Sequence, residues 1–125
     1  MNLLLDTNAL LAMIDVGKPL PSKARAIMDE ANLLLSIATP WEMTIKQSIG
    51  KLVLTASVEE ILDEHNDILT LLPIERRHLQ RLSMLPHHHR DPFDRIIIAQ
   101  ALAENLPIVS SDAAFDAYGI ERIWE

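Results

Sequence analysis

Several residue types are absent or scarce in this sequence of 125 residues, and each absence excludes a class of protein. There is no cysteine, which excludes a disulfide framework and a thiolate metal site. No apolar run approaches the roughly 18 residues of a membrane span, and the apolar N-terminus is interrupted at Asp6 without a basic leader. We therefore expect neither a transmembrane segment nor a signal peptide, and we expect a cytoplasmic location. Aromatic residues make up only 4%, too few for extensive stacking on nucleic acid.

The length and composition predict one folded domain. Globular domains average roughly 150 residues, so residues 1–125 correspond to a single domain. Hydrophobic residues make up 49% and charged residues 23%, which is ordinary for a folded domain and unlike a disordered chain.

Basic charge is also in short supply, because the formal net charge is −7. This is a poor starting point for non-specific binding of nucleic acid, which depends on basic charge. The basic residues are unevenly placed, however. Residues 76–95 contain five arginines and four histidines against two carboxylates. The segment could bind an anion although the chain as a whole is acidic.

Short apolar runs alternate with helical patterns along the chain, which predicts a parallel sheet covered by helices on both faces. The predicted strands are residues 2–5, 33–37, 68–72, 106–109 and 121–124. The predicted helices are residues 7–15, 23–31, 40–49, 57–66, 75–82, 91–104 and 112–117. Thr39 is the predicted N-cap of the helix that begins at Pro40, and Ser57 begins a capping box. The predicted fold class is a small α/β sandwich.

Four acids occupy equivalent places in different units of this pattern. Asp6 follows the first strand, Glu42 lies near the start of the helix after the second, Asp94 begins the helix at 91–104, and Asp112 follows the fourth strand. Strand C-termini and the following helix N-termini share one edge of a parallel sheet, where ligands bind. Carboxylates gathered there repel one another unless a cation neutralises them. Oxygen ligands without cysteine favour Mg²⁺ or Mn²⁺, which can activate a water molecule for attack on a phosphodiester.

Each acid taken alone also has a structural explanation. Acids at helix starts accept hydrogen bonds from free amides, so Asp91 and Asp94 could serve as caps, and Asp112 after two serines could do the same. The recurrence of acids at matching positions is what favours a shared site.

Two further patterns have a simple structural interpretation. Adjacent residues point their side chains apart, so the run from His87 to His89 is poorly spaced for metal binding, and we expect a loop that contacts phosphate or solvent. The helical spacing of Trp41, Ile45 and Ile49 predicts a core-facing stripe. Phe93 and Phe115 are also predicted to be core residues.

Several segments together resemble a PIN domain, most closely the VapC-type toxin ribonucleases. The resemblance spans the whole chain, and its most distinctive part is the His-Arg-Asp-Pro-Phe-Asp-Arg segment. The segments that carry it are Leu-Leu-Asp-Thr-Asn-Ala-Leu-Leu at 4–11, Pro-Trp-Glu-Met-Thr-Ile-Lys at 40–46, the stretch 88–101 and Val-Ser-Ser-Asp at 109–112. The resemblance implies a three-layer α/β/α sandwich with a central parallel sheet.

The resemblance also assigns residue roles. It makes Asp6 and Asp94 the principal ligands of Mg²⁺ or Mn²⁺, with Glu42 and Asp112 completing the site or orienting the attacking water. Residues of a second tier are Asn8, Asp91 and Asp116. The expected RNA-binding residues are Arg90, Arg95 and Lys46.

The function implied by the resemblance is metal-dependent endonucleolytic cleavage of RNA that leaves a 3′-hydroxyl and a 5′-phosphate. Members of the family usually form homodimers, and the toxins are silenced by a small antitoxin whose tail enters the active-site groove.

Two alternative functions remain. An aspartate-dependent phosphatase would use Asp6 as nucleophile, but it needs a second aspartate where Asn8 stands. A non-catalytic interaction module would instead bind a partner protein over the acidic edge.

Overall fold

A computed structural model describes residues 1–125, and its centre is a five-stranded sheet. All strand pairs are parallel, and the spatial order is β3-β2-β1-β4-β5. The strands are β1 Asn2–Leu5, β2 Asn32–Ser36, β3 Leu69–Leu72, β4 Ile108–Val109 and β5 Arg122–Ile123. The helices are α1 Thr7–Met13, α2 Ser22–Asp29, α3 Ala38–Ser48, α4 Val58–Glu64, α5 Arg76–Ser83 and α6 Pro92–Glu104, followed by a 3₁₀ helix at Ala113–Tyr118.

The central strand β1 is covered on both faces, as the predicted sandwich requires. Leu3, Leu4 and Leu5 are each fully buried. Because side chains alternate across a strand, Leu3 and Leu5 pack in one hydrophobic core and Leu4 in a second. The first core is covered mainly by α1 to α3, and the second mainly by α6 with the 3₁₀ helix. The three-layer α/β/α arrangement is confirmed.

Helix starts agree with the sequence in two places. Ser57 and Glu60 form the predicted capping box at the start of α4. Asp91 is the N-cap of α6, where its Oδ1 accepts hydrogen bonds from the main-chain amides of Phe93 and Asp94. Pro92 occupies the first helical position, where a missing N–H group has no cost.

The start of α3 differs from the prediction. The helix begins at Ala38, so β2 ends at Ser36 and Thr39 is inside the helix instead of capping it. The hydroxyl of Ser36 accepts a hydrogen bond from the Ala38 amide at 3.0 Å and thereby satisfies the first turn. Pro40 is tolerated as the third residue because amides of the first turn need no intrahelical partner. The hydroxyl of Thr39, freed from capping, lies 3.2 Å from that of Thr7.

The predicted core stripe of α3 is wrong. Trp41, Ile45 and Ile49 are 56%, 40% and 59% exposed. The helix instead buries the face that carries Glu42 and Met43. The spacing correctly identified an apolar face of the helix, but that face points outward. The face that packs inward carries both polar and apolar residues, so the apolar pattern did not reveal it.

The two phenylalanines differ in their surroundings. Phe115 is fully buried, as predicted, whereas Phe93 is only half-buried. The Phe93 ring packs edge-on against Trp41, with ring centroids 4.9 Å apart.

None of the helices combines the length and the apolar character needed to cross a bilayer.

Candidate active site

The four acids predicted to meet are positioned by segments that leave the same edge of the sheet. Asp6 directly follows β1, and Asp112 follows β4, the neighbour of β1. Glu42 lies in α3, which follows the other neighbour, β2. Asp94 is the third residue of α6. The strand order, which the sequence could not give, therefore places Asp6, Glu42 and Asp112 at the carboxyl ends of the three central strands. Asp94 joins them from the start of α6, where His89 contacts both Asp94 and Asp112.

Asp6 is an almost completely buried acid, only 2% exposed. Its Oδ1 atom accepts a hydrogen bond from the Ala9 amide at 2.7 Å, which makes it the N-cap of α1. Burial raises the pKa of Asp6 to about 6, although hydrogen bonds from Ser110 and Ala9 lower it. Repulsion by Asp112 and Glu42 raises it further. Asp6 is thus electrostatically coupled to two of the other predicted acids.

Asp94 is the second acid held against its charged form. Burial raises the pKa of Asp94 to about 7, and repulsion from the neighbouring Asp91 adds to this effect. His89 lowers it, whereas Asp6 and Glu42 raise it. No lysine or arginine forms an ion pair with Asp6 or Asp94.

Glu42 is buried and both of its carboxylate oxygens are bonded. Oε1 accepts a hydrogen bond from the Thr7 hydroxyl at 2.7 Å, and Oε2 pairs with the ammonium group of Lys46, also at 2.7 Å. Thr39 extends this network through its contact with Thr7. These bonds hold the glutamate in one orientation between α1 and α3.

The histidine run contributes one side chain to the acidic cluster, contrary to expectation. His89 Nε2 lies 3.0 Å from Asp112 Oδ2 and 3.3 Å from Asp94 Oδ2. His87 and His88 are exposed, as expected for a loop. Adjacent residues do point apart, and this is why only one of the three faces the acids.

The three residues of the second tier, Asn8, Asp91 and Asp116, have different contacts in the structure. The Asp91 carboxylate caps α6, as its alternative structural explanation held. The Asp116 carboxylate is paired with the guanidinium of Arg122 at 2.9 Å, which lowers its pKa. Asn8 is exposed and lines a surface pocket of about 200 Å³ together with Ser111.

The three basic residues also differ. The Arg95 guanidinium donates to the main-chain carbonyls of Leu85, Pro86 and His89, so it is engaged within the protein. Lys46 is half-exposed and paired with Glu42. Arg90 is exposed and forms no ion pair.

The donor set fits a hard divalent cation. Asp94 and Asp112 offer carboxylate oxygens close together, and Asp6 and Glu42 are coupled to them by the repulsion that raises the pKa of Asp6 and Asp94. A bound cation would remove this repulsion. His89, Asp94 and Asp112 place one potential ligand atom each within 4.8 Å of one another. Carboxylate oxygen ligands are those that Mg²⁺ and Mn²⁺ prefer.

Three residues of this site were missed by sequence reasoning. Thr7 and Ser110 carry the hydroxyls that bond Glu42 and Asp6, and His89 touches two acids. Thr7 and Ser110 lie next to strand ends at the predicted edge, a signal that could have identified them. His89 could not be separated from its two neighbours without the loop conformation.

Comparison with known proteins identifies the family. The family model described as "PIN domain" matches residues 3–121. A search of curated protein sequences gave no significant match.

Solved structures share the fold at low sequence identity. FitAcB from Neisseria gonorrhoeae is 19% identical, with 97% of this chain and 96% of that chain covered and a TM-score of 0.68. VapBC2 from Rickettsia felis, bound to a DNA fragment from its promoter, is 15% identical over 100% of both chains, with a TM-score of 0.72. VapBC-1 from nontypeable Haemophilus influenzae is 14% identical over 98% and 97% of the chains, with a TM-score of 0.73. A family match over nearly the whole chain, together with the parallel sheet and the acidic edge, shows that the chain belongs to the PIN domain family.

Proposed function

We propose that this protein is a metal-dependent endoribonuclease and the toxin of a toxin–antitoxin pair. The observation that carries the proposal is the meeting of Asp6, Glu42, Asp94 and Asp112 at one edge of a PIN-domain sheet, with the pKa of two of them raised. PIN domains are generally nucleases, and all four acids are present, so the chain has the residues that the chemistry needs.

The residues of the site have different proposed roles according to where they lie. Asp6 and Asp94 would hold Mg²⁺ or Mn²⁺, and Glu42 and Asp112 would complete the site. When bound, such an ion lowers the pKa of a water molecule and stabilises charge on a phosphodiester. Thr7 and Lys46 fix the orientation of the Glu42 carboxylate through one bond to each of its oxygens. Arg90, exposed and unpaired, would contact the RNA backbone, and Lys46 would do so with its exposed half.

The proposed protein partner is a small antitoxin. The structural relatives include FitAcB and VapBC complexes, and the VapC-type toxins that this chain resembles pair with a small antitoxin, which supports this assignment. The exposed apolar residues of α3 indicate a second interaction surface, which we assign to another copy of this chain. Cytoplasmic location and homodimer formation are part of the same proposal.

The test of the proposed activity is RNA cleavage by purified protein. A panel of structured and single-stranded RNAs is incubated with Mg²⁺, Mn²⁺ or EDTA, and the products are separated and their ends analysed. We expect cleavage only with metal, and products with 5′-phosphate and 3′-hydroxyl ends. Asp6→Asn and Asp94→Asn should lower the rate by at least about 100-fold, since each removes a ligand charge.

The control variant is Asp63→Asn, because the Asp63 carboxylate is exposed on α4 and is not part of the four-acid set. Cleavage retained at the wild-type rate in Asp6→Asn would remove that residue from metal binding. If antitoxin-free protein neither cleaves RNA nor binds metal in calorimetry, the acidic edge is not a nuclease site. The interaction-module alternative would then lead.

A further inference from the structure

We propose that His89 is a positioning residue of the acidic site, whose Nε2–H group orients the Asp112 and Asp94 carboxylates for a divalent cation without ligating the cation itself. The inference rests on the proposed function, because it concerns the same site. It assigns a role to the single histidine that contacts two of the acids.

The hydrogen bonds of the ring determine its tautomer. The main-chain amide of Asp91 donates to His89 Nδ1 at 3.2 Å. An amide is always a donor, so Nδ1 is the acceptor in this bond, which leaves Nε2 as the ring nitrogen that donates to the acids. The Nε2 atom lies 3.0 Å from Asp112 Oδ2 and 3.3 Å from Asp94 Oδ2. In this arrangement Nε2 acts as a hydrogen-bond donor toward the two carboxylates, which is the role that the proposal assigns to it.

The imidazole is held by more than these bonds. The His89 amide donates to the Tyr118 hydroxyl at 2.7 Å, and that hydroxyl donates to the Pro86 carbonyl at 2.9 Å. The His89 carbonyl accepts from Arg95, and the ring lies 5.6 Å from the buried ring of Phe115. Only 15% of the His89 side chain is exposed. A side chain fixed from several sides can fix its partners in turn.

The two carboxylates need such an orienting group. Asp112 is on the segment after β4 and Asp94 is in α6, so no backbone hydrogen bond joins the two segments at this point. The second oxygen of Asp112 accepts from the Ala114 amide at 2.9 Å, so with His89 both of its oxygens have donors. Groups that hydrogen-bond metal-ligating carboxylates typically change metal affinity by about 10- to 100-fold.

The experiment measures Mn²⁺ binding to antitoxin-free protein by calorimetry and by electron paramagnetic resonance. We expect His89→Ala to weaken Mn²⁺ binding by about 10- to 100-fold. His89→Gln, which keeps an N–H donor of similar reach, should recover most of that loss. The matched control is His87→Ala, since His87 is in the same run but exposed, and it should bind as the wild type does. Pulsed resonance of bound Mn²⁺ should show no directly coordinated nitrogen.

Each other outcome overturns the inference in a recognisable way. A coordinated-nitrogen signal that disappears in His89→Ala would make His89 a ligand. Equal Mn²⁺ affinity in His89→Ala and wild type would show that the contact has no effect on the site. Wild-type protein that binds no Mn²⁺ would overturn the metal site itself, and with it this inference. Because His89→Gln tests the same contact, a failure of His89→Ala to fold leaves the inference falsifiable.

Discussion

Asp6 and Asp94 are acids placed where their charged forms are disfavoured. Burial is the main cause for both, and it raises their pKa values to about 6 and about 7. Carboxyl groups that served only as helix caps would be stabilised in the ionised form by the amides they accept from. Keeping the two carboxylates ionised in these places therefore lowers the stability of the metal-free protein, as expected for residues that bind a cation.

The metal-free protein should lose stability as the pH rises from 5 to 8. The folded-state pKa values lie above the unfolded value of 3.8, so the folded protein binds more protons between about pH 4 and pH 7. The free energy of unfolding therefore falls through this window and levels off above it. Above pH 5, Asp6 contributes about one pKa unit and Asp94 about two, so at about 1.4 kcal/mol per unit we expect a loss of about 4 kcal/mol between pH 5 and pH 8. Urea unfolding in EDTA at several pH values measures it.

Asp94→Asn is the matched variant for this measurement. It removes the acid with the higher pKa, so we expect it to be more stable than wild type at pH 8 and to show a shallower pH dependence. Asp6→Asn should behave similarly. A wild-type curve that is flat between pH 5 and pH 8 would show that these acids ionise freely in the folded protein.

At the scale of elements, one arginine of α6 organises the loop that carries the histidines. Three carbonyl hydrogen bonds connect Arg95 to Leu85, Pro86 and His89. Arg90 lies in the same basic segment but is exposed and unpaired. The structure thus separates two arginines that the sequence grouped together as RNA-binding residues.

The variants Arg95→Ala and Arg90→Ala should affect different properties, the first the stability of the fold and the second the binding of RNA. Arg95→Ala should lower the free energy of unfolding by about 2 kcal/mol, because partly buried hydrogen bonds from a charged donor are lost. Arg90→Ala should leave stability unchanged, weaken RNA binding and make its salt dependence shallower. Chemical unfolding and RNA titrations at several salt concentrations measure the two effects. An unchanged salt slope in Arg90→Ala would show that Arg90 makes no phosphate contact.

Local capping chemistry explains how much of each element the sequence could predict. The capping box at Ser57 and the Asp91-Pro92 pair are complete within a few residues, and both helix starts were predicted correctly. The start of α3 was predicted incorrectly, because the hydroxyl of Ser36 accepts the hydrogen bond from the first turn, and the buried hydroxyl of Thr39 contacts that of Thr7 instead of capping the helix. A contact across 32 residues is not visible in a local pattern.

At the scale of the molecule, α3 leaves an apolar row on the surface. Ile37, Trp41, Ile45 and Ile49 follow one another at intervals of four residues and are all exposed. Residues four apart form a ridge that runs obliquely around a helix, and such a ridge can pair with its own copy across a two-fold axis, because an isologous interface uses the same patch twice. This is the surface that best suits the proposed homodimer.

Sedimentation analysis of the purified chain tests this surface. We expect a dimer, and we expect Ile45→Lys to shift it to monomer by placing charge in the apolar contact. Gln80→Lys, on the exposed surface of α5, is the control and should remain dimeric. If Ile45→Lys remains dimeric, the interface is elsewhere. A wild-type monomer at all concentrations would overturn the homodimer.

The sequence predicted the fold class and the edge at which the acids meet, because strand and helix patterns and the parallel arrangement determine both. It could not predict strand order, and so it could not prove that Asp112 lies beside Asp6. It also placed Trp41 in the core, since an apolar face on a helix does not reveal whether it faces the sheet or a partner.

The pairing of the first strand with the fourth has a consequence for how the protein is made. The central strand β1 leaves the ribosome first, but its neighbour β4 is synthesised about a hundred residues later. Until β4 is in place, Asp6 has no Asp112 beside it, and the acidic edge is incomplete. If the proposed function holds, a partly synthesised chain is harmless.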